Sequence, residues 1–272
     1  MINFCIITKN QSCELKKCLS SLSKLDCNIV VCDTGSSDDS VSVAKSFTEY
    51  VCHFDWCDDF AAAKNYCVSQ APGDHICVVD TDEFLISPPT DNVEAPLLNN
   101  PKSIGQVKRI NHFFAGEEVR INTEWIPRIY DRRFYRYEGA IHEQIVPINP
   151  GPRPNTFFKS TLAFDHGGYN LSSDLRNKKA DRNINLLLKE IDKLNQKYSV
   201  MPDTDLSTLP KEASDILSYN YYQLGKGYYY KGDYLLSAEA FSTGLSFDVD
   251  ENLDYVRDMV ETYGYALLNS NR

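Results

Sequence analysis

The sequence lacks an apolar run that could cross a membrane. Its amino-terminal apolar stretch, Ile2–Ile7, ends at Lys9 and Asn10, long before the roughly 20 apolar residues that a membrane-spanning helix needs. The stretch is also too short for the apolar core of a secretory leader. We therefore expect a cytoplasmic protein without a transmembrane segment.

An excess of positive charge is missing as well. The 272 residues carry a net charge of −10, and the isoelectric point is near 5.0. This balance argues against a protein that binds nucleic acid through a basic face. Hydrophobic residues make up 42% of the chain, which is typical of a globular protein long enough for one domain and a smaller second one.

Closely paired cysteines are absent too. All nine cysteines lie between Cys5 and Cys77, and no two of them are separated by only two residues. Zinc sites and disulfide scaffolds both favour closely paired, even-numbered cysteines. Cys5, Cys32 and Cys77 instead fall within apolar runs, where a thiol packs as a small hydrophobic group. The pattern predicts reduced, structural thiols.

Short apolar runs alternate with helical patterns along the amino-terminal part of the chain. This alternation predicts parallel strands joined by helical crossovers, in a Rossmann-like sheet. In such sheets, ligands bind at the carboxyl ends of the strands. Thr8, Asp33 and Asp80 each follow a run directly, so we expect them at one crevice. The four apolar runs are Asn3–Ile7, Asn28–Cys32, Tyr50–His53 and His75–Val79.

The pattern changes twice further along the chain. Between residues 91 and 165 it indicates strands at Ile104–Ile110, Trp125–Tyr130 and Thr156–Phe164 with few helices, which favours a mixed extension of the sheet. After Leu171 the pattern is helical to the end of the chain, apart from a polar, Pro-containing break around Val200–Pro210. Ser172 or Ser173 can cap a first helix that runs through Ile191, and the helices predicted after the break are Ser214–Tyr230, Tyr234–Ser246 and Leu253–Leu268. We predict an α/β domain over residues 1–170, with a mixed sheet flanked by helices, and a small all-α tail over residues 171–272.

An acidic cluster follows the fourth apolar run. Asp80 and Asp82 are one residue apart, and Glu83 adds a third acid. Hard divalent cations such as Mg²⁺ and Mn²⁺ prefer carboxylate oxygens and also bind phosphates. Because three crowded carboxylates are costly without a cation, the sequence favours a metal site here over a solvated loop.

Asp33 and Lys64 are further candidates for this crevice. Asp33 opens a Gly-Ser-Ser loop before a helix, where Ser37 or Asp38 is the simplest candidate for a helix cap. That arrangement is compatible with an Asp33 carboxylate that faces the crevice. Lys64 follows three alanines, which would let its helix approach the sheet and make Lys64 a counter-charge for phosphate.

Taken together, these motifs resemble those of family 2 glycosyltransferases of the GT-A fold. They are most similar to a bacterial branch whose catalytic domain is followed by a tetratricopeptide-like helical tail. The resemblance covers nearly the whole chain, and the order of the motifs is more specific than any single one. The segments that carry it are CIITKNQ (Cys5–Gln11), VVCDTGSSDDSV (Val30–Val41), HFDWCDDFAAAKN (His53–Asn65), HICVVDTDEFL (His75–Leu85), YRYEGAIHEQI (Tyr135–Ile145) and FDHGGY (Phe164–Tyr169).

The resemblance implies a nucleotide-sugar donor bound in the α/β domain, with a UDP-linked sugar as the expected donor. Asp33 would bind the base, typically uracil. Thr8 and Asn10 would line the nucleotide pocket, and Lys64 would face the base or the diphosphate. Gln11 departs from the branch, which commonly has an acid at this position, but the position is peripheral to the donor.

The resemblance also implies a divalent cation, Mn²⁺ or Mg²⁺. Asp82 would ligate it, and Asp80 would approach the ribose, the metal or its bound water. His166, at the end of a predicted strand, would be a late histidine ligand, although a lone histidine is more often structural. Family 2 enzymes are inverting, so a base is needed, for which Glu143 is the candidate and His142 the alternative.

The helical tail has the spacing of a tetratricopeptide repeat. A single repeat and a terminal helix cannot form a free solenoid, so the tail is either a buttress or part of an acceptor site, and it could also mediate oligomers. The acceptor remains open between a peptide or protein and a cell-surface glycan precursor. The residues that fit the repeat are Tyr221, Leu224, Gly225, Tyr228, Gly232, Phe241 and Leu245.

Two other functions compete with this one. A sugar nucleotidyltransferase would need a glycine-rich phosphate loop after the first strand, and Thr8–Ser12 contains no glycine. A non-catalytic helical-repeat binding protein with a degenerate GT-A domain would not need Asp33 or the Asp80 and Asp82 pair. Both alternatives therefore rank below a hexosyltransferase.

Overall fold

Strands and helices alternate through the amino-terminal part of the computed structural model. The structure describes residues 1–87, 89, 92–115, 118–149, 156–166, 173–201 and 203–270. The strands are β1 Asn3–Thr8, β2 Asn28–Asp33, β3 Tyr50–His53, β4 His75–Val78, β5 Glu83–Ser87, β6 Ile104–Ala115, β7 Glu118–Asp131, β8 Tyr135–Glu138, β9 Gln144–Pro147 and β10 Phe157–His166. The helices of this part are α1 Ser12–Leu22, α2 Ser40–Phe47, α3 Phe60–Ser69 and α4 Ala95–Asn99.

Eight of these strands form one sheet in the order β3-β2-β1-β4-β7-β6-β10-β5, and β8 pairs with β9 separately. The first four strands in this order are parallel, β7 runs antiparallel to both β4 and β6, and β10 pairs parallel to β6 and antiparallel to β5. The predicted fold class, a mixed GT-A type sheet flanked by helices and followed by a helical tail, is confirmed.

Alternating side chains of the central strands build a core on each face of the sheet. Phe4 and Ile6 of β1 pack with Leu15 and Leu19 of α1 on one face. On the other face, Cys5 packs with residues of β2 and α3. All nine cysteines are free thiols, and Cys5, Cys32 and Cys77 are buried. These three cysteines therefore act as small apolar groups, as their runs predict.

The chain divides into two units, residues 1–170 and residues 171–272. The second unit consists of α5 Ser173–Lys197, a short 3₁₀ turn Leu206–Thr208, α6 Lys211–Lys231, α7 Tyr234–Leu245 and α8 Asp254–Asn269.

The last three helices pack around Phe241, which contacts the apolar side chains of α6 and α8. A Cβ at Gly225 would lie 2.5 Å from the Phe241 ring, so α6 and α7 approach as closely as glycine allows. Gly232 ends α6 with a φ of 83°, in the left-handed region that favours glycine at a helix end. Among the described residues, no helix combines the length and apolar character needed to cross a bilayer.

Candidate active site

The carboxyl ends of three neighbouring strands meet at one edge of the sheet. Thr8 and Asp33 are register partners on β1 and β2, and Asp80 follows β4, which pairs with the other side of β1. Thr8 is buried, and its hydroxyl has no hydrogen-bond partner within the described part of the chain. The edge predicted to bind the ligand therefore has a buried polar group available for one.

Asp33 is held as an ionised acceptor at this edge. Its carboxylate accepts hydrogen bonds from the backbone N–H of Gly35 at 3.0 Å and of Ser36 at 3.1 Å. Nδ1 of His53 lies 3.4 Å from Oδ2 of Asp33. Burial alone would raise the pKa of Asp33, but the hydrogen bonds from Ser36, Gly35 and His53 hold it below its ordinary value.

The two loops beside Asp33 are joined by side-chain hydrogen bonds. Oδ1 of Asn10 accepts from the backbone N–H of Ser37 at 2.7 Å. The Asp38 carboxylate accepts from the N–H groups of Ser12 and Ser40, both at 3.0 Å, which begin α1 and α2. Asp38 thus accepts a hydrogen bond from the first residue of each helix. The Asn10 side chain contacts the neighbouring loop.

Asp80 lies between two buried cations. Its Oδ1 is 3.3 Å from Nζ of Lys64, and its Oδ2 is 2.6 Å from Nη2 of Arg128. Burial would raise the pKa of Asp80, but Arg128 and Lys64 together hold it well below its ordinary value. Both oxygens of Asp80 therefore have charged partners.

Lys64 connects Asp80 to the candidate base. Its side chain is only 4% exposed, and its Nζ lies 2.6 Å from Oε1 of Glu143 and 5.3 Å from the centre of the Tyr137 ring. Burial would lower the pKa of Lys64, but Asp80 and Glu143 raise it above its ordinary value. The lysine therefore remains charged, and its described partners are carboxylates.

The loop that carries Glu143 is fixed by α3. The backbone N–H of Phe60 donates to the carbonyl of Ala140 at 2.8 Å, and the Asn65 side chain exchanges two hydrogen bonds with the backbone of Tyr137. His142 has a φ of 52°, an unusual conformation for a residue other than glycine. Of the two candidate bases, Glu143 is the one whose described contacts reach Lys64.

Glu83 does not share the role expected of a third acid at a metal site. It is buried and lies 2.9 Å from Nη2 of Arg128 and 3.4 Å from Nη1 of Arg109, and it accepts from the backbone N–H of Asp80 at 3.0 Å. The expectation that three crowded acids need a bound cation is therefore wrong for Glu83. The arginines supply the compensating charge, and no spacing in the sequence identified them.

Asp82 and His166 lie side by side. Oδ2 of Asp82 is 3.5 Å from Nε2 of His166, and both side chains are largely buried. The contact follows from strand pairing, because His166 on β10 is the register partner of Glu83 on β5, the residue after Asp82.

This pair fits an incomplete metal site. In the described part of the chain, no cluster of three or more His, Cys, Asp or Glu side chains could hold an ion by itself. A carboxylate and an imidazole are suitable ligands for a divalent cation, and substrate phosphates commonly complete such a site. Asp82 and His166 are the residues that would hold the ion.

Comparison with known proteins agrees with this architecture. The sequence profile described as Glycosyl transferase family 2 matches residues 4–150, more than half of the chain. The chain belongs to this family. Thr8, Asp33, Asp80 and Asp82 lie within the matched region, whereas His166 lies beyond it.

Relatives of this glycosyltransferase chain cover only parts of it. The glycosyltransferase SunS of Bacillus subtilis is 30% identical over 193 residues, which are 66% of this chain and 43% of SunS. A TPR repeat-containing protein of Synechococcus elongatus is 38% identical over 85 residues, 31% of this chain and 21% of that protein. The chain therefore spans less than half the length of these relatives.

Two solved structures resemble the whole chain at low similarity. Staphylococcus aureus TarS has a TM-score of 0.44 and 13% identity, covering 96% of this chain and 55% of that one. The mannosyltransferase PcManGT of Pyrobaculum calidifontis, in complex with GDP-Man and Mn²⁺, has a TM-score of 0.44 and 13% identity, covering 99% and 85%. Similarity at this level is too low to assign a donor or an acceptor.

Proposed function

We propose that the protein is an inverting, metal-dependent hexosyltransferase that uses a UDP-linked sugar as donor. The observation that carries the proposal is the 3.5 Å approach of Asp82 to His166, beside the strand ends that hold Asp33 and Asp80. Family membership supports the reaction class. The tetratricopeptide-like spacing of the tail favours a peptide or protein acceptor over a cell-surface glycan precursor.

The nucleotide would bind along the ends of β1 and β2. Asp33 is an ionised acceptor and would accept a hydrogen bond from an N–H of the uracil ring. The Thr8 hydroxyl, buried without a partner in the described residues, would gain a hydrogen bond from the nucleotide. Asn10 would line the pocket through the loop that it fixes.

The diphosphate would lie near the acidic loop. Asp82 and His166 would hold a divalent cation, which would stabilise the negative charge that develops on the departing diphosphate. Asp80 would face the ribose or a ligand of the cation while Lys64 and Arg128 fix its orientation. Lys64 would act mainly through these carboxylates, because its described contacts are with Asp80 and Glu143.

Glu143 would act as the base. As the acceptor oxygen or sulfur forms a bond to the anomeric carbon, its proton would pass to a carboxylate oxygen of Glu143. The bond between the anomeric carbon and the diphosphate oxygen would break on the opposite face, which inverts the configuration. Lys64, 2.6 Å from Oε1 of Glu143, would keep the carboxylate near Asp80.

The test combines binding with turnover. Calorimetry with UDP and Mn²⁺ should detect binding, and a panel of nucleotide sugars should identify the donor by slow hydrolysis. Glu143→Gln should retain UDP and Mn²⁺ affinity and lose about 10²- to 10⁴-fold in transfer, the usual contribution of a positioned base. His142→Ala is the matched variant in the same loop and should keep most transfer.

Two results would contradict the assignment. Absence of UDP binding with Mn²⁺ would favour a non-catalytic role for the domain. Full transfer by Glu143→Gln together with loss of transfer in His142→Ala would move the base to His142.

A further inference from the structure

A row of polar side chains crosses the sheet from β7 to β10 and ends at His166. Oε1 of Glu124 accepts from Nε and Nη2 of Arg109 at 2.9 and 2.8 Å, and from Nδ2 of Asn111 at 2.7 Å. Oδ1 of Asn111 lies 2.8 Å from Nδ1 of His166. Arg109 and Glu124 are register partners, as are Asn111 and His166, so the backbone pairing itself aligns the row.

The chemistry of the row fixes the direction of each hydrogen bond. An arginine side chain can only donate, and a carboxylate can only accept. Burial would raise the pKa of Glu124, but its bonds with Asn111 and Arg109 hold it below its ordinary value. Glu124 is therefore an acceptor, so Asn111 must turn its amide nitrogen to Glu124 and its amide oxygen to His166.

The amide oxygen of Asn111 determines which nitrogen of His166 carries hydrogen. Because that oxygen can only accept, Nδ1 must be the donor. In a neutral imidazole the other nitrogen, Nε2, is then an acceptor. Nε2 faces Oδ2 of Asp82 at 3.5 Å, so two acceptors face each other, an arrangement that a cation between them stabilises.

We propose that Asn111, oriented by Glu124 and Arg109, is a positioning residue that fixes the Nδ1–H tautomer of His166 and so presents Nε2 to a divalent cation. Metal-binding histidines commonly donate their other N–H to an oxygen acceptor, and loss of that partner typically weakens the site. The proposal rests on the proposed metal-dependent function. Asn111 is itself buried, which keeps water from replacing its amide.

The first experiment reads the tautomer without metal or substrate. The ¹⁵N shifts of the His166 ring, assigned with His166→Ala, should show Nδ1–H in the metal-free wild type at about pH 8, above the ordinary histidine range. Asn111→Leu removes the acceptor and should shift the ring to a mixture or to Nε2–H. Asn122→Leu, the exposed register partner on β7, is the control and should leave the ring unchanged.

The second experiment measures Mn²⁺ binding by calorimetry in the presence of UDP. Asn111→Leu should lower the affinity for Mn²⁺ about 10- to 100-fold. Glu124→Gln keeps the shape of the side chain but lets the Asn111 amide turn either way. It should therefore also give a mixture of His166 tautomers and lower the Mn²⁺ affinity. The double variant Asn111→Asp with Glu124→Gln restores the order of donors and acceptors at the same net charge.

In that double variant, a carboxylate at position 111 can accept from both His166 and the new amide at position 124. Recovery of the Nδ1–H tautomer and of Mn²⁺ affinity would support the positioning role, because a purely structural role would not be rescued. An Nε2–H ring in the wild type would overturn the proposal. So would failure of the double variant to recover while its urea midpoint matches the wild type.

The outcomes also separate this proposal from the proposed function. If Mn²⁺ binding is lost in Asp82→Ala and His166→Ala but unchanged in Asn111→Leu, the metal site stands and the positioning role is wrong. If none of these variants changes Mn²⁺ binding, the proposed metal site is wrong, and the positioning proposal falls with it.

Discussion

Lys64 offers the sharpest test of the buried charges at the site. Its ammonium lies 2.6 Å from Glu143 and 3.3 Å from Asp80, on a side chain that is 4% exposed. Lys64→Met keeps most of the volume and removes the charge. Asp80 still has Arg128, but Glu143, 14% exposed, loses its cation. Breaking one partner out of such a buried pair typically costs about 3–5 kcal/mol.

Urea denaturation, followed by tryptophan fluorescence, measures this loss of unfolding free energy in the unit that contains Lys64. Both tryptophans, Trp56 and Trp125, lie in the first unit. With an m-value of about 2 kcal/mol per M, Lys64→Met should lower the midpoint by roughly 1.5–2.5 M. Lys45→Met, at an exposed position on α2, is the control and should change the free energy of unfolding by less than about 0.5 kcal/mol.

A double-mutant cycle identifies the partner of Lys64. Glu143→Gln in the Lys64→Met background removes the carboxylate that has lost its cation, so it should restore about 1–3 kcal/mol. The same substitution in the wild type should destabilise. A Lys64→Met midpoint equal to that of Lys45→Met, or a cycle without coupling, would show that the contact between Lys64 and Glu143 does not form in solution.

Three further predictions concern single residues. The folded-state pKa of Asp38 is lowered from 3.8 to about 2, so its contribution to stability is complete above pH 3.8 and is lost as the pH falls towards about 2. In Asp38→Asn, the urea midpoint should therefore fall less steeply as the pH is lowered through the acid range. A pH dependence equal to that of the wild type would contradict this. Gly225→Ala should lower the free energy of unfolding of the helical unit by about 1–3 kcal/mol, because its Cβ would clash with Phe241. Gly264→Ala, where a Cβ meets nothing within 4 Å, should raise that free energy by up to about 1 kcal/mol. Thermal melting of the helical circular dichroism signal measures both. Asp82→Asn should weaken Mn²⁺ binding more than Asp80→Asn, and the reverse order would move the metal to Asp80.

The elements that the sequence predicts well are those with strong local patterns. The four apolar runs match β1 to β4 to within one residue, and the helices of the tail are found to within about one turn. The sequence pattern does not predict β5, because these five residues at the edge of the sheet depend on pairing with β10 rather than on their own pattern. That pairing is what brings His166 beside Asp82.

The residues of the candidate site also differ in whether a local sequence pattern can place them. Residues at the ends of predicted strands, such as Asp33 and Asp80, could be placed at one edge from alternation alone. Arg128 and Asn111 could not, because each acts across strands whose register is set by tertiary pairing. A buried arginine within the apolar run of β7 has no local signal that distinguishes it from an exposed one.

The positions of the buried cations, more than the number of acids, determine which acid of the loop can bind a metal ion. Glu83 is neutralised by two arginines, and Asp80 has a cation at each oxygen. Asp82 instead faces an imidazole whose hydrogen-bond row turns an acceptor nitrogen towards it. Under the proposed function, a divalent cation would bind between Asp82 and His166, because the carboxylate and the acceptor nitrogen of the imidazole face each other there. We therefore expect separate roles for the three acids: Asp80 and Glu83 are paired with buried cations of the protein, and Asp82 would bind the ion.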